Sequence, residues 1–296
     1  MDSSDLWTLY RSFLAVVQHG SLSRGAKDLG ISQPTLGRHI AALEDRLGSG
    51  ALFTRSVRGL TPTEAALAIR PHVETMNAAA AAIRRTLSAP SDALEGTVRI
   101  SASDIVGTHV LPAILADLRN RHPGLVIELS LSNDTEDLIG RAVDIAVRMV
   151  RPTQKALLAR RIGAARLGVY AHKSYADRHG LPATRRDFAQ HALIGFDRET
   201  PYMRMMAAAV KLDRSMFTLR TDSDLAALGA LTAGFGLGFC QVPLARRLGN
   251  LVPVLAGEIG FDLPIWIAMH EDLKTVRRMR TVFDHLASGM KAYLGA

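Results

Sequence analysis

Apolar positions at the start of the chain fall into three short helical stripes. Leu6, Leu9, Phe13 and Val17 recur at i, i+3, i+7 and i+11, one face of a first helix, which Gly20 ends. Ser21 or Ser23 suits the N-cap of a second helix, with Leu22, Ala26 and Leu29 as its stripe and Gly30 as its stop. After the turn Ile31-Ser32-Gln33, a third stripe of Leu36, Ile40, Leu43 and Leu47 ends at Gly48. Two short helices joined by a tight Gly-containing turn predict a helix-turn-helix over 21–40. The segment ALFTRSVRGL (51–60) adds Leu52 and Phe53 as anchors and a basic, Gly-bearing loop, which fits a wing.

A long helix should follow. Thr61 as N-cap, Pro62 at the first helical position and Glu64 closing a capping box start it, and its pattern runs to about Leu87. Ile69, Val73, Met76, Ala80, Ile83 and Leu87 alternate spacings of four and three, a heptad seam suited to dimerisation. Packing on its own domain is the plain alternative, and Pro71 should kink the helix. SAPSDALEG (88–96) lacks periodicity and reads as a hinge. Strand patterns then appear at 97–103, 125–132, 144–149, 165–172, 192–196, 216–220, 237–241 and 263–269. Helical patterns lie at 109–122, around Asp137–Arg141 and at roughly 275–293. Such alternation predicts an α/β unit with largely parallel sheets.

The third stripe leaves Gln33, Thr35, Arg38 and His39 facing outward. Gln pairs bidentately with adenine and Arg with guanine, while Thr meets a thymine methyl or a phosphate. Ser32 and the helix N-terminus suit a backbone phosphate, and Arg55 and Arg58 of the wing reach a flanking groove. Ser21, Ser23 and Pro34, at the starts of the two helices, complete the DNA-binding set. A solvated polar face on a helical bundle is the alternative. Net charge changes the picture little: it is +8 overall, but only +3 falls within residues 1–88.

These positions carry a resemblance. The run FLAVVQHGSLSRGAKDLGISQPTLGRHIAALEDRLGSGALFTRSVRGLTPTEAA resembles the DNA-binding domain of LysR-type transcriptional regulators. Phe13, Ser21, Ala26, Leu29, Ser32, Gln33, Pro34, Arg38 and Ile40 match, as do Leu43, Glu44, Leu47, Gly48, Leu52, Phe53, Arg55 and Thr63. HPGLVIEL, DLIGRAVDIAVR and AGFGLGF extend the likeness over nearly the whole chain. Gly25, Gly37 and Ala66 depart from the residues usual at those places.

The expected fold is multidomain: an all-α winged helix-turn-helix (1–60), a dimerising linker helix (61–89), a hinge (90–96) and an α/β effector domain (97–296). The resemblance implies that the α/β effector domain is periplasmic-binding-protein-like. Its two subdomains would be I (97–162 and 264–296) and II (163–263), with a cleft between them. It places Ser101, Ser103, Thr108, Asn133, Arg148, Phe196, Asp197, Asp222 and Gln241 near that cleft as effector-binding residues. Independently, the first strand ends in Ser101-Ala102-Ser103, at the carboxyl-end position where α/β domains take small molecules. Asp104 would oppose a carboxylate there and Arg148 would offset it, so the ligand's charge stays open.

The expected partners are double-stranded DNA bearing an interrupted inverted repeat, a small-molecule effector and RNA polymerase. The assembly is expected to be a homodimer, or a homotetramer built from two dimers. Catalytic chemistry finds no footing: G-x-S-x-G, H-E-x-x-H, Walker and Cys-His spacings are missing, so no catalytic residue, metal or cofactor is expected. AGFGLGFCQ (233–241) follows a helical segment and precedes a strand, which suits a tight turn better than a nucleotide loop. Cys240, the sole cysteine, reads as a core residue and points to a reducing compartment. The opening MDSSDLWTLY lacks a signal-peptide pattern and no apolar run spans a bilayer, so the expectation is cytoplasmic with no membrane partner. An enzyme carrying a DNA-targeting domain and a DNA-organising protein that reads no bases are the rival functions.

Overall fold

The three N-terminal stripes become α1 (Ser3–His19), α2 (Leu22–Leu29) and α3 (Gln33–Leu47) in the computed structural model. It describes residues 3–56, 59–86, 90, 92–133, 143–152, 157–198 and 213–295. Ser21 caps α2, its hydroxyl accepting from the Arg24 amide at 3.4 Å, and Ser32 caps α3 through the Thr35 amide at 3.3 Å. Gly30 and Gly48 end the two helices in the left-handed conformation that glycine adopts without a Cβ clash. Leu9, Phe13, Leu36, Ile40 and Leu43 share one core with Leu52, Ala66 and Val73. Leu47, 38% exposed, falls outside it, so the α3 stripe ends at Leu43. Gly25 lets α2 lie close: a Cβ there would sit 3.1 Å from Leu36 and 3.2 Å from the Ala15 backbone.

The wing is an antiparallel hairpin, β1 (Phe53–Ser56) with β2 (Gly59–Pro62), and Phe53 stands opposite Pro62. It docks on the end of α1, where the Leu60 amide donates to the Gly20 carbonyl at 2.8 Å. The hairpin takes Thr61 and Pro62 into its ladder, so the predicted helix start shifts: α4 runs Glu64–Thr86 and Thr63 caps it. The Thr63 hydroxyl accepts from the Ala66 amide at 3.4 Å and donates to the Leu52 carbonyl at 3.1 Å. α4 continues unbroken through Pro71.

The chain divides between Arg84 and Arg85 into two compact units. In the second, a seven-stranded sheet is ordered β10 (Leu251–Val254), β6 (Leu157–His172), β11 (Gly260–His270), β5 (Ile145–Arg148), β3 (Gly96–Ala102), β4 (Leu125–Leu131). β9 (Leu237–Gln241) also pairs with β6. Only β3–β4 and β3–β5 run parallel in this sheet; the rest of it is antiparallel. The expected largely parallel arrangement is therefore corrected. The cause is two long strands, β6 and β11, which lie antiparallel along their length with a register shift between Ile265 and Trp266. Each extends beyond its hydrophobic segment in the sequence.

A short parallel pair, β7 (Ile194–Gly195) with β8 (Leu219–Arg220), stands apart, and Met216 falls in a 3₁₀ turn rather than the strand expected over 216–220. The helices are α5 (Leu111–Arg121), α6 (Lys173–His179), α7 (Asp224–Thr232), α8 (Val242–Leu248) and α9 (Arg277–Gly295). A π-helical turn over Val106–Val110 precedes α5, and the helical segment expected around Asp137–Arg141 lies outside the described residues. α9 buries Met279, Val282, Phe283, Leu286 and Met290 against the main core, together with Val98, Ile100 and Ile265 of the sheet. The Gly-rich segment is a turn from α7 to β9, and a Cβ on Gly236 would stand 2.2 Å from the Ala192 carbonyl oxygen.

Charged groups are buried in this unit as well. Arg85 pairs with Asp144 (Nε to Oδ2, 3.1 Å), and the same carboxylate oxygen accepts from the Arg99 amide at 2.8 Å. Arg278, fully buried, donates to the Arg85 carbonyl at 3.0 Å and to the Pro90 carbonyl at 3.2 Å. The first of these bonds satisfies a carbonyl in the last turn of α4 that the helix itself leaves open.

Candidate nucleic-acid interface and effector site

The burial of Leu36, Ile40 and Leu43 fixes which side of α3 faces out. Ser32, Gln33, Pro34 and Arg38 are exposed, and Thr35 is half-buried. Their polar atoms are organised. Ser32 and Thr35 hydroxyls lie 2.8 Å apart, Arg38 Nη2 donates to Thr35 Oγ1 at 3.4 Å, and the Ser23 hydroxyl of α2 donates to Gln33 Oε1 at 2.9 Å. His39 is turned inward instead: its Nδ1 lies 2.8 Å from the hydroxyl of buried Ser12 on α1, so it tethers α3 to α1. Gly37 has open space around it, with no atom within 4 Å of where a Cβ would stand.

The wing is aimed from the same helix. Glu44, on the last turns of α3, accepts from the Leu52 amide at 2.7 Å, which holds the start of the hairpin to the recognition element. Arg55 is exposed on β1; Arg58 lies outside the described residues. Sequence reasoning counted Glu44 only as a match and gave it no role. Its contact spans eight positions through a turn, which a helical wheel does not show.

Along α4 the seam divides. Val73 is buried in the core of its own unit and Ile69 is packed against that core, so these two positions are removed from a dimer seam. Met76 and Ile83 are 43% and 62% exposed, with Ala80 half-buried between them. Leu87 lies outside the described residues.

The expected effector residues fall into separate groups. Ser101, at the end of β3, accepts from Nη2 of Arg148 at 2.7 Å; Arg148 ends β5 and is 3% exposed. Ser103 has its carbonyl in the turn that follows, accepting from the Gly107 amide, and Thr108 is exposed on the π-helical turn. Asn133 forms a second group: its Nδ2 donates to Asp104 at 3.2 Å and to Asp224 of α7 at 3.1 Å. Burial of Asp224, and next the nearby charge of Asp104, push its carboxyl above the ordinary range. Asp197 and Asp222 form a third group with Arg214 and Arg198; Asp222 accepts from the Asp197 and Arg198 amides. Phe196 packs beside Leu167 and Leu263.

Gln241 is turned into the protein, where its Oε1 accepts from the Tyr293 hydroxyl at 2.8 Å and its side chain is buried. That bond occupies it structurally. Asp224 was missed because it stands 91 positions from Asn133, and no local pattern links them. Cys240 is buried, and desolvation pushes its thiol up to about 12. Among the described residues no group of three or more His, Cys, Asp or Glu has metal-binding geometry, and no helix is long and apolar enough to cross a membrane.

Comparison with known proteins matches this layout. Residues 7–67 match the family described as "Bacterial regulatory helix-turn-helix protein, lysR family", and residues 91–291 match "LysR substrate binding domain". An HTH-type transcriptional regulator of Xanthomonas campestris pv. campestris is 31% identical over 262 residues, covering 84% of this chain and 75% of that protein. The HTH-type transcriptional activator AaeR of Escherichia coli K12 is 28% identical over 257 residues, covering 85% and 81%. Among solved structures, full-length CbnR complexed with its target DNA superposes with a TM-score of 0.64 at 17% identity, covering 98% of this chain and all of that one. The chain belongs to the LysR family: it is a transcriptional regulator, not an enzyme, with a helix-turn-helix DNA-binding domain followed by an α/β effector-binding domain.

Proposed function

We propose that the leading edge of α3, formed by Ser32, Gln33, Pro34, Thr35 and Arg38, enters the major groove of double-stranded DNA. Ser21 and Ser23 lie beside it and Arg55 of the wing reaches a flanking groove. The carrying observation is the division of α3: Leu36 and Leu43 are fully buried, and the polar positions that open the helix are exposed. His39 is left out of the reading edge because its ring is bonded to Ser12. Functional boundaries follow the sequence reading: DNA-binding domain 1–60, linker helix 61–89, hinge 90–96, effector domain 97–296 with subdomains I and II as given above.

The exposed apolar positions Met76 and Ile83, with half-buried Ala80 between them, pair two linker helices, so the protein works as a homodimer or as a homotetramer of such dimers. Two recognition helices then read an interrupted inverted repeat. A cytoplasmic protein that bends DNA or contacts RNA polymerase fits this layout. The small-molecule effector binds at the carboxyl ends of β3 and β5, where Ser101 and Arg148 meet, and Asn133 with Asp224 spans the two subdomains. It acts through its differential affinity for their two arrangements.

The test is Arg38→Ala in the full chain, titrated against its selected operator and a random duplex. Specific binding weakens by ~1–3 kcal/mol while random binding changes little, because Arg38 reads a base. An equal loss on both duplexes with a shallower salt slope would assign Arg38 to phosphate alone.

A further inference from the structure

The hydrogen bond from Ser23 to Gln33 has a direction, and the direction restricts what Gln33 can read. The donor is the Ser23 hydroxyl and the acceptor is Gln33 Oε1, at 2.9 Å, between the exposed face of α2 and the first residue of α3. A glutamine amide carries its acceptor at one end and its two donors at the other. Turning the oxygen toward α2 turns the amide NH2 away from it. Bidentate pairing with adenine needs both ends at once, the oxygen for N6–H and the NH2 for N7. A glutamine held this way has one lone pair of its oxygen taken by Ser23 and that oxygen drawn toward α2. This disfavours the two-ended adenine pairing and leaves the NH2 as its free reading end.

The rest of the edge has the same polarity. Arg38 cannot accept a hydrogen bond, and it donates to Thr35 Oγ1. Ser32 Oγ accepts from the Thr35 amide and lies 2.8 Å from Thr35 Oγ1. The oxygens of Ser32, Gln33 and Thr35 therefore each already share a hydrogen bond within the protein, which weights the reading edge toward its free donors, the Gln33 NH2 and the Arg38 guanidinium. Guanine offers two adjacent acceptors, N7 and O6, in the major groove; adenine sets an N6 donor beside N7, which meets a donor amide unfavourably.

We infer that Ser23 is a specificity-positioning residue: it holds the Gln33 carbonyl so that the amide selects guanine and rejects adenine at the base pair beneath it. This rests on the placement of α3 against DNA proposed above.

The experiment selects duplexes from a randomised pool with the full-length protein and then titrates single-base variants of the winning site. Gln33→Ala marks the base pair whose discrimination disappears. At that position the unaltered protein prefers guanine over adenine by about tenfold. Ser23→Ala frees the amide to turn, and the preference falls by about fivefold or more through improved adenine binding. Ser23→Thr, which keeps the hydroxyl, restores it. Discrimination at other base pairs and the salt slope stay unchanged. Adenine bound at least as well as guanine by the unaltered protein overturns the inference. So does a Ser23→Ala loss that is equal on all duplexes, or a Gln33→Ala variant that changes discrimination nowhere. Failure to select any sequence defeats the DNA-reading proposal itself, whereas a selected site with any of those three results defeats only the role of Ser23.

Discussion

On the reading edge of the N-terminal unit the organised polar side chains sit on the surface and bond close by in sequence: Ser32 with Thr35, Thr35 with Arg38, and Ser23 with Gln33 ten positions away. In the effector unit two such pairs are instead buried and bond across long separations. Arg85 meets Asp144 59 positions away, and Arg148 meets Ser101 47 positions away. The two arrangements suit different tasks. Exposed pairs contribute little to stability, since water competes for every partner, so the reading edge can be altered without unfolding its helix. Buried pairs cost desolvation and are strongly destabilising to break from one side, so they tie the polar chemistry of the effector unit to the integrity of its sheet.

That contrast is breakable by measurement. Asp144→Ala leaves the buried Arg85 guanidinium short of this carboxylate and removes the acceptor of the Arg99 amide. The effector unit should lose about 3–5 kcal/mol. Urea unfolding followed by Trp266 fluorescence in a Trp7→Phe background reads this unit, because the chain has two tryptophans, one in each unit. A loss below about 1 kcal/mol, the range of an exposed pair, would erase the distinction.

Gly37→Ala addresses the other side. A Cβ there meets nothing, so the substitution brings only helix propensity and should stabilise the N-terminal unit by roughly 0.5–1 kcal/mol. The complementary Trp266→Phe background, read at Trp7, checks it. Destabilisation would show that the open face of α3 is packed in the intact protein.

The smallest effect concerns Asp224, whose carboxyl burial raises above its ordinary range. The folded chain then holds that proton to a higher pH than the unfolded chain. Its unfavourable ionisation is absent below the unfolded carboxylate range and develops as pH rises through the folded value. Asp224→Asn should therefore raise Tm at pH 7 and leave it unchanged near pH 3. A shift equal at both pH values would mean that the charge is not what the asparagine relieves.

Legibility followed the same division. The helix-turn-helix was readable because its signals are local: caps at Ser21 and Ser32, left-handed stops at Gly30 and Gly48, and a stripe that repeats every turn. Where a tertiary partner intervenes, local reading failed. Thr61 looked like a helix cap until the wing ladder claimed it, Val73 looked like a dimer position until its own core covered it, and His39 found Ser12 on another helix. In the effector unit, β9 was legible to the residue, but the antiparallel course of β6 and β11 was not. Strand direction is set by which segments meet, and periodicity carries no information on that. The proposed effector residues divide likewise: Ser101 and Arg148 come together, whereas Gln241 is occupied by Tyr293.

Cys240 gives the protein an internal clock. It is the chain's only cysteine, lies on β9 against β6, and has a thiol pushed up to about 12 by desolvation. At neutral pH almost none of it is thiolate, and the thiolate is what reacts with an alkylating reagent. Modification must therefore wait until β9 opens toward solvent. The alkylation rate of the native protein, compared with that of an unstructured thiol, converts directly into the free energy of that local opening. Repeated in the presence of small molecules, the same rate would report which of them tightens the sheet, with no label added to the chain.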